Sequence, residues 1–362
     1  MQPGDVDEVA RLYRSVFGRG RSGPTAARDE IRRFYLDGPF RDPDLPSLVH
    51  VDDAGLPSGF IGVHTVPYRI GARRVRAAFC GALLSANRDR DPLAGARLLK
   101  AFLAGPQDVS FSETANAVSQ GMWERLGGTV LAPYSMEWVR VLRPAGFMLA
   151  FASLQLPVLR VLTPLGRITD RALMRSGRSG STLLNFGPEA KKAALIVEDI
   201  GQTGFAELMR QFSEERIAKP DWSNGYLEHV LGTGLDKPAF GWPVMAAVRT
   251  KGGEPLGAFL YHLRPNGIAR VLQIMFQAGR AGVVLDQLFV DAMARGAVAL
   301  RGRTEPAVLA AMPGRHMMCV AASSTVIHAR DGSLINPFET GDCLLNGLAG
   351  ERWSRFFGTD LS

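Results

Sequence analysis

The chain has 362 residues, 46 % of them hydrophobic, with 40 Gly and 22 Pro in no regular period. That length suits two domains, each with its own core, and excludes collagen-like and low-complexity chains. Its formal charge of +7, from 42 basic residues of which only Lys100, Lys191, Lys192, Lys219, Lys237 and Lys251 are lysines, leaves nucleic acid, an anionic cofactor or an anionic membrane as partners. An Arg-, Ala-, Gly- and Pro-rich composition is also what GC-rich codons produce. Cys80, Cys319 and Cys343 show no CxxC spacing, so neither a disulfide framework nor a zinc site is expected. The opening residues run straight into a charged segment with no secretory signal, and a cytoplasmic, bacterial-type protein is the expectation.

Residues 5–17 read as an amphipathic helix, with Val6, Val9, Leu12, Val16 and Phe17 near one face. A short helix follows at 26–36, then strands at 47–51, 58–66 and 76–86 between Gly and Pro turns. Pro92 opens a helix to about 104, which Gly105 and Pro106 stop. Residues 109–114 read as a strand, 115–126 as a helix ended by Gly127 and Gly128, and 129–142 as one last strand. A similar order returns from about 195. Helices are expected at 204–216, 225–231, 283–295 and 305–311, and strands at 244–249, 257–263, 269–276, 297–301 and 317–328. The resulting division is 1–142, a linker at 143–194, 195–330, and a tail at 331–362 packing on the second domain.

Two helices, three antiparallel strands and a βαβαβ ending resemble the GNAT acyltransferase superfamily. The residues that carry the likeness are 78–86 as the central strand, then Asn87 to Leu99, and Ser112 to Asn116 with Met122-Trp-Glu-Arg-Leu-Gly127 after it. In the second half, residues 269–282 hold the corresponding strand–loop–helix place. The resemblance implies a mixed α/β fold with two GNAT-like domains, each a mostly antiparallel sheet with flanking helices. A distant likeness to the tandem peptidoglycan-branching aminoacyltransferases points the same way.

The family seats the acyl-CoA pyrophosphate where a Q/R-x-x-G-x-G/A loop opens a helix. A helix start offers unpaired N–H groups and a partial positive charge, and glycine permits close approach. Here that place reads Pro92-Leu-Ala-Gly-Ala-Arg97; Gly95 matches, while Pro92 and Arg97 depart. Asp91 stands where an N-cap would be, and as a cap its carboxylate would occupy the donors a phosphate needs. By the resemblance, acetyl-CoA or another acyl-CoA contacts Leu84, Ala86, Arg90, Ala94, Gly95, Ala96 and Asn116, for the last of which helix capping is the alternative. The second half offers Gly279, Arg280 and Gly282, with no carboxylate before Asp286, as the electrostatically freer anion site; its glycines do not keep the family's spacing, and an ordinary strand-to-helix turn is the alternative.

Acyl transfer needs a base for the nucleophile and a proton for the leaving thiolate. Glu113, at a strand end, is the candidate base, beside its alternative as a solvated or helix-capping carboxylate. The family's acid tyrosine is Trp123 here; Tyr134, read as lying on the following strand, is the candidate substitute, beside its alternative as a half-buried strand tyrosine. Trp222 and Tyr226 would line an acceptor cleft or simply pack together. Six scattered histidines without HxxxH or HExxH predict no metal. Walker, G-x-S-x-G and Rossmann signatures are absent, as are RNA-binding aromatic motifs.

Residues 147–166 are the most apolar stretch, yet Gln155, Pro157, Arg160 and Pro164 interrupt it. Between 140 and 180, seven Arg face Asp170 alone, a local +6. Residues 147–178 therefore either pack between the domains or touch the inner membrane face peripherally. Three functions stay open: an acyltransferase acting from acyl-CoA on a small-molecule, amine, hydroxyl or sugar acceptor; an aminoacyl-tRNA-dependent transferase; or a non-catalytic GNAT-like scaffold. Apart from that aminoacyl-tRNA, no nucleic-acid partner is expected, and the sequence leaves oligomeric state open.

Overall fold

The structure is a computed structural model that describes residues 1–17, 24–86, 91–155 and 195–351. It forms two compact units. The first comprises Met1–Ser135, Ser213–Ala239 and Ser323–Ser362, and the second Met136–Phe212 and Phe240–Ala322.

The first unit opens with α1 (Val6–Phe17) and α2 (Pro24–Tyr35). Val6, Val9, Leu12 and Tyr13 are buried at helical spacing on α1, as are Ala27, Ile31 and Tyr35 on α2. These two stripes form one core with Phe60, Ala82 and Leu84 of the sheet. The sheet itself begins with β1 (Leu48–Val51), β2 (Pro57–Ile70) and β3 (Arg73–Ser85), followed by α3 (Ala94–Leu103), β4 (Val109–Ala115), α4 (Ala117–Arg125) and β5 (Thr129–Val130). Leu98, Leu99 and Phe102 of α3 and Trp123 of α4 make a second core with Ile61, Val63, Ala78 and Cys80. The short turn between β2 and β3 uses Gly71 at φ +59°, a conformation open to glycine at no steric cost.

The run 129–142 is not one strand. Pro133, which has no N–H to donate to a ladder, sits in a 3-10 turn over Ala132–Tyr134, and Ser135 Oγ donates to Leu131 O at 2.8 Å. Beyond that turn β6 (Met136–Val141) joins the second sheet. The run 317–328 divides in the same way. Its first part, β13 (Met317–Ala321), pairs with β6, and its second, β14 (Ser324–Ala329), inserts between β4 and β5. The first sheet thus has the order β1-β2-β3-β4-β14-β5, with β8 (Ala218–Pro220) on β2; β3 and β4 pair in parallel and its other strand pairs are antiparallel among the described residues. The contiguous ranges 1–142 and 195–330 describe the order of elements, but the first sheet takes β8 and β14 from the later range and the second takes β6 from the earlier one.

The tail belongs to the first unit, not to the second domain where the sequence reading placed it. The Tyr68 hydroxyl donates to Leu344 O at 2.8 Å, and Phe338 lies against Tyr68 and Phe111 with ring centroids 6.0 and 5.2 Å away. Apolar Leu334, Phe338, Leu345 and Leu348 are buried there, which supplies the physical reason. The first unit also holds α7 (Tyr226–Leu235) and the short α10 (Asn336–Glu339).

The second unit contains α5 (Pro144–Gln155), β7 (Leu195–Asp199), α6 (Gln202–Ser213), β9 (Trp242–Thr250), β10 (Pro255–Leu263), β11 (Ile268–Phe276), α8 (Ala281–Ala294), β12 (Ala299–Arg303) and α9 (Pro306–Ala311). Its strand order is β13-β6-β12-β11-β10-β9-β7, and α8 buries Val284, Leu285, Leu288 and Phe289 in the core. The helical reading of the linker holds for α5; the rest of 143–194, with most of the apolar basic stretch, lies outside the described residues. No helix among the described residues is long and apolar enough to cross a membrane.

Candidate functional site

In the first unit β3 and β4 pair only from Ala77↔Val109 to Phe79↔Phe111. Beyond Phe79, β3 stays with β2 as far as Gly59↔Ser85, while β4 stays with β14 as far as Ala115↔Ser324. The two strands therefore part, and among the described residues the β3 edge from Gly81 to Ser85 carries no ladder on its β4 side. Each strand is bulged just past the parting. Gly62 pairs with Ala82 and Val63 with Cys80, which leaves Gly81 as the extra residue. The bulge also reverses the facing of β3: Ala78 and Cys80 enter the α3–α4 core, whereas Ala82 and Leu84 enter the α1–α2 core. On β4, Glu113 and Thr114 together oppose Thr325.

The β3 strand leads toward the start of α3. Leu93 at its N-cap supplies no side-chain bond, and among the described residues the Gly95 and Ala96 N–H groups donate to no acceptor. Asp91 does not cap the helix. Its carboxylate pairs with Arg97 and lies 3.5 Å from His50 Nε2. The donors that Asp91 was expected to occupy are thus available to an anion. A Cβ on Gly95 would meet nothing closer than Met122 at 3.9 Å. Of the other sequence-expected contacts, Ala96 is half-buried and Ala86 exposed, while Ala94 and the Leu84 side chain are buried in the cores. Arg90 lies outside the described residues.

Glu113 is 1 % exposed and sits in the β4 bulge, where Oε2 accepts the Glu351 backbone N–H at 2.6 Å. It is neither a solvated nor a helix-capping residue. That capping role falls to Asn116, whose Oδ1 accepts the Ser119 N–H at 2.9 Å. Trp123 is fully buried against Phe102 and is a core residue. Tyr134 is on the 3-10 turn rather than on a strand, and its buried hydroxyl lies 3.1 Å from Cys343 Sγ.

The second unit repeats the parting with different chemistry. β11 and β12 pair only from Ile268↔Ala299 to Arg270↔Arg301, and Leu272 is the extra residue two positions on, as Gly81 is in β3. Two positions past the last pair on the neighbouring strand stands Arg303, where the first unit has Glu113. Gly302 beside it is covered by the Trp138 ring, 2.8 Å from where a Cβ would be. At the start of α8 the expected free anion site is covered as well. Arg315 reaches Asp286 with two bonds of 2.8 and 3.0 Å, which lays its guanidinium 2.5 Å from the Cβ position of Gly282. Asp286, one turn into the helix, draws the arginine there. Gly279, at φ +74°, serves the turn, and Arg280 occupies the N-cap without a side-chain bond.

A cleft of about 780 Å³ opens in the first unit between α2 and α7, lined by Asp29, Glu30, Arg33, Glu228, His229, Asp236 and Lys237 among others. A smaller pocket of about 110 Å³ shares Arg33, His229 and Thr233 with it and reaches Val63, His64 and Thr65 of β2. Val63 is the β2 partner of Cys80, next to the Gly81 bulge. Burial, assisted by Arg33, pushes the His229 imidazole pKa down, so its neutral form is favoured. The sequence reading missed this cleft. Trp222 and Tyr226 do not line it; they stack on each other at 5.9 Å, and the Trp222 indole donates to Ser213 Oγ. His229, three residues after Tyr226, is the residue that reaches the opening. Among the described residues no cluster of side chains could hold a metal ion.

No protein-family model and no curated protein matches the sequence. Solved structures do match in fold. A GCN5-related N-acetyltransferase from Anabaena variabilis aligns at TM-score 0.58 and 12 % identity, over 90 % of this chain and 70 % of that one. A probable N-acyltransferase from Enterococcus faecalis aligns at 0.56 and 11 %, over 92 % and 73 %. A GCN5-related N-acetyltransferase from Kribbella flavida aligns at 0.55 and 14 %, over 92 % and 71 %.

Proposed function

Because the chain carries the fold of the GCN5-related N-acetyltransferases, in two GNAT-like domains, we propose that it is an acyl-CoA-dependent acyltransferase whose chemistry takes place in the first unit. The observation that carries this reading is the parting of β3 from β4 together with the uncapped start of α3. A strand edge without a ladder accepts an extended, amide-bearing arm, and a free helix start accepts a diphosphate. A CoA thioester has both parts. The second unit offers Arg303 in place of Glu113 and a guanidinium over Gly282, which supports assigning turnover to the first.

In this reading the acceptor nitrogen attacks the thioester carbonyl, forming a C–N bond as the C–S bond breaks. Glu113 receives the proton that the nitrogen sheds, and CoA leaves as a thiolate that water protonates. Backbone N–H groups at the Gly81 bulge are suited to the developing oxyanion. Holding both reactants in one unit supplies rate through proximity. The α2–α7 cleft fits the acceptor. Four carboxylates face two cations there on a chain that is basic overall, which favours an amine-bearing, cationic acceptor.

The test is calorimetry with CoA, acetyl-CoA and longer acyl-CoAs, followed by transfer assays over a panel of amines, hydroxyl compounds and sugars. Saturable thioester binding with transfer to amines is expected. Silence with every thioester would overturn the reading in favour of a non-catalytic GNAT-like protein, a role that the buried Trp123 in place of the family's tyrosine would fit.

A further inference from the structure

Among the described residues, the two most deeply buried carboxylates of the first unit grip one another's backbones. Glu351, fully buried, accepts with Oε1 from the Glu113 N–H at 3.0 Å, from Thr114 Oγ1 at 2.8 Å and from Ser112 Oγ at 3.4 Å. In return, Glu113 Oε2 accepts the Glu351 N–H at 2.6 Å. Gly350 makes room for this exchange, since a Cβ there would stand 2.1 Å from Glu113 Oε2. Its backbone is extended, so the requirement is space rather than a left-handed conformation. The 3-10 turn Gly347–Ala349, buried throughout, delivers the segment to this point.

Burying two carboxylates is costly, and a strap meant only to hold the tail down would be better made of apolar side chains. These carboxylates lie instead at the β4 bulge, immediately past the point where the strands part. We infer that Glu351 is a positioning residue for acyl transfer: it fixes the bulge so that the Glu113 carboxylate is held at the wedge between β3 and β4. The tail is then a working part of the site. This inference rests on the acyltransferase reading with Glu113 as base.

The test uses the full-length chain with E351A and E351Q, measuring CoA affinity by calorimetry, kcat and KM for acetyl-CoA with the best amine of the panel, and amide hydrogen exchange along β4. A glutamine oxygen can accept the same three hydrogen bonds; alanine cannot. The expected result is a kcat lower by at least about tenfold in E351A, with CoA affinity within about twofold, and recovery to within about threefold in E351Q. Wild-type kcat in folded E351A would overturn the inference. So would a parallel loss of CoA affinity and kcat in both variants, which marks a structural role only. If the wild-type chain binds no CoA thioester, the acyltransferase reading falls and takes the catalytic part of the inference with it. The latch is then judged by exchange alone: faster exchange of the Glu113 amide in E351A upholds it, and unchanged exchange refutes it.

Discussion

Arg97 draws Asp91 away from the first turn of α3, so that a carboxylate standing two residues before the N-cap leaves the Gly95 and Ala96 amides open. Both side chains are partly exposed, and the pair matters for where it places the carboxylate rather than for stability. In Arg97→Ala, Asp91 becomes free to turn onto the Gly95 and Ala96 amides and compete with a phosphate. CoA affinity should then fall about fivefold, or about 1 kcal/mol, the usual scale of a charge at a helix terminus. The double variant Asp91→Asn/Arg97→Ala should regain most of it. Calorimetry on the three proteins decides the point. If the double variant stays weak, Arg97 acts directly on the ligand.

The two helix starts should respond in opposite ways to the same substitution. Gly95→Glu places a carboxylate on an open surface, where the nearest atoms to its Cβ are those of Met122 at 3.9 Å. It should abolish CoA binding with little change in Tm. Gly282→Glu drives into the Arg315 guanidinium and breaks its grip on Asp286. That variant should lose stability by about 1–3 kcal/mol and keep its CoA affinity. The reverse pattern would move the proposed site to the second unit.

Elements held together by local periodicity were legible in the sequence: the buried stripe of α1, the strands around Ala78, and the helix opened by Pro92. What escaped was set by distant partners. The runs 129–142 and 317–328 each look like one strand because apolar residues continue across the break; only Pro133 marks a division, and a hydropathy pattern does not state which sheet receives each part. Glu113 stands near a strand end and so is a candidate base from sequence, whereas Glu351, whose carboxylate accepts its N–H, comes from an irregular tail 238 residues away. Asp91 has the form of an N-cap, and the arginine that removes it lies a turn and a half later. The α2–α7 cleft joins Glu30 and Arg33 to His229 and Lys237, which no spacing rule connects.

Close packing at Gly62 offers a test of the first unit's core. A Cβ at this position would stand 2.4 Å from the Tyr35 ring, which is itself buried edge-on against Phe60 at 5.4 Å. Gly62→Ala should therefore destabilise by about 1–3 kcal/mol through overpacking. Gly4→Ala, with nothing within 4 Å of its Cβ, should change stability by less than about 0.5 kcal/mol. Urea unfolding midpoints at constant slope would show this contrast; equal midpoints would mean that Tyr35 moves aside at no cost.

Lys237 lines the α2–α7 cleft yet is 1 % exposed. Burial pushes its ammonium pKa from 10.5 down to about 8, against the opposing pull of Glu30 and Asp236. Below about pH 8 the lysine is protonated in both the folded and unfolded chain, and the full cost of burying the charge is present. Between about pH 8 and 10.5 the unfolded chain keeps a proton that the folded chain has released, so this lysine makes stability rise with pH. Relative to Lys237→Met, which does not titrate, the wild-type protein should gain up to about 3 kcal/mol across that window. Urea unfolding of both proteins at several pH values measures the difference directly. A flat difference would show that Glu30 and Asp236 hold the ammonium ionised in the fold, and Lys237 would then neutralise part of the cleft's acidic wall at every pH in that range.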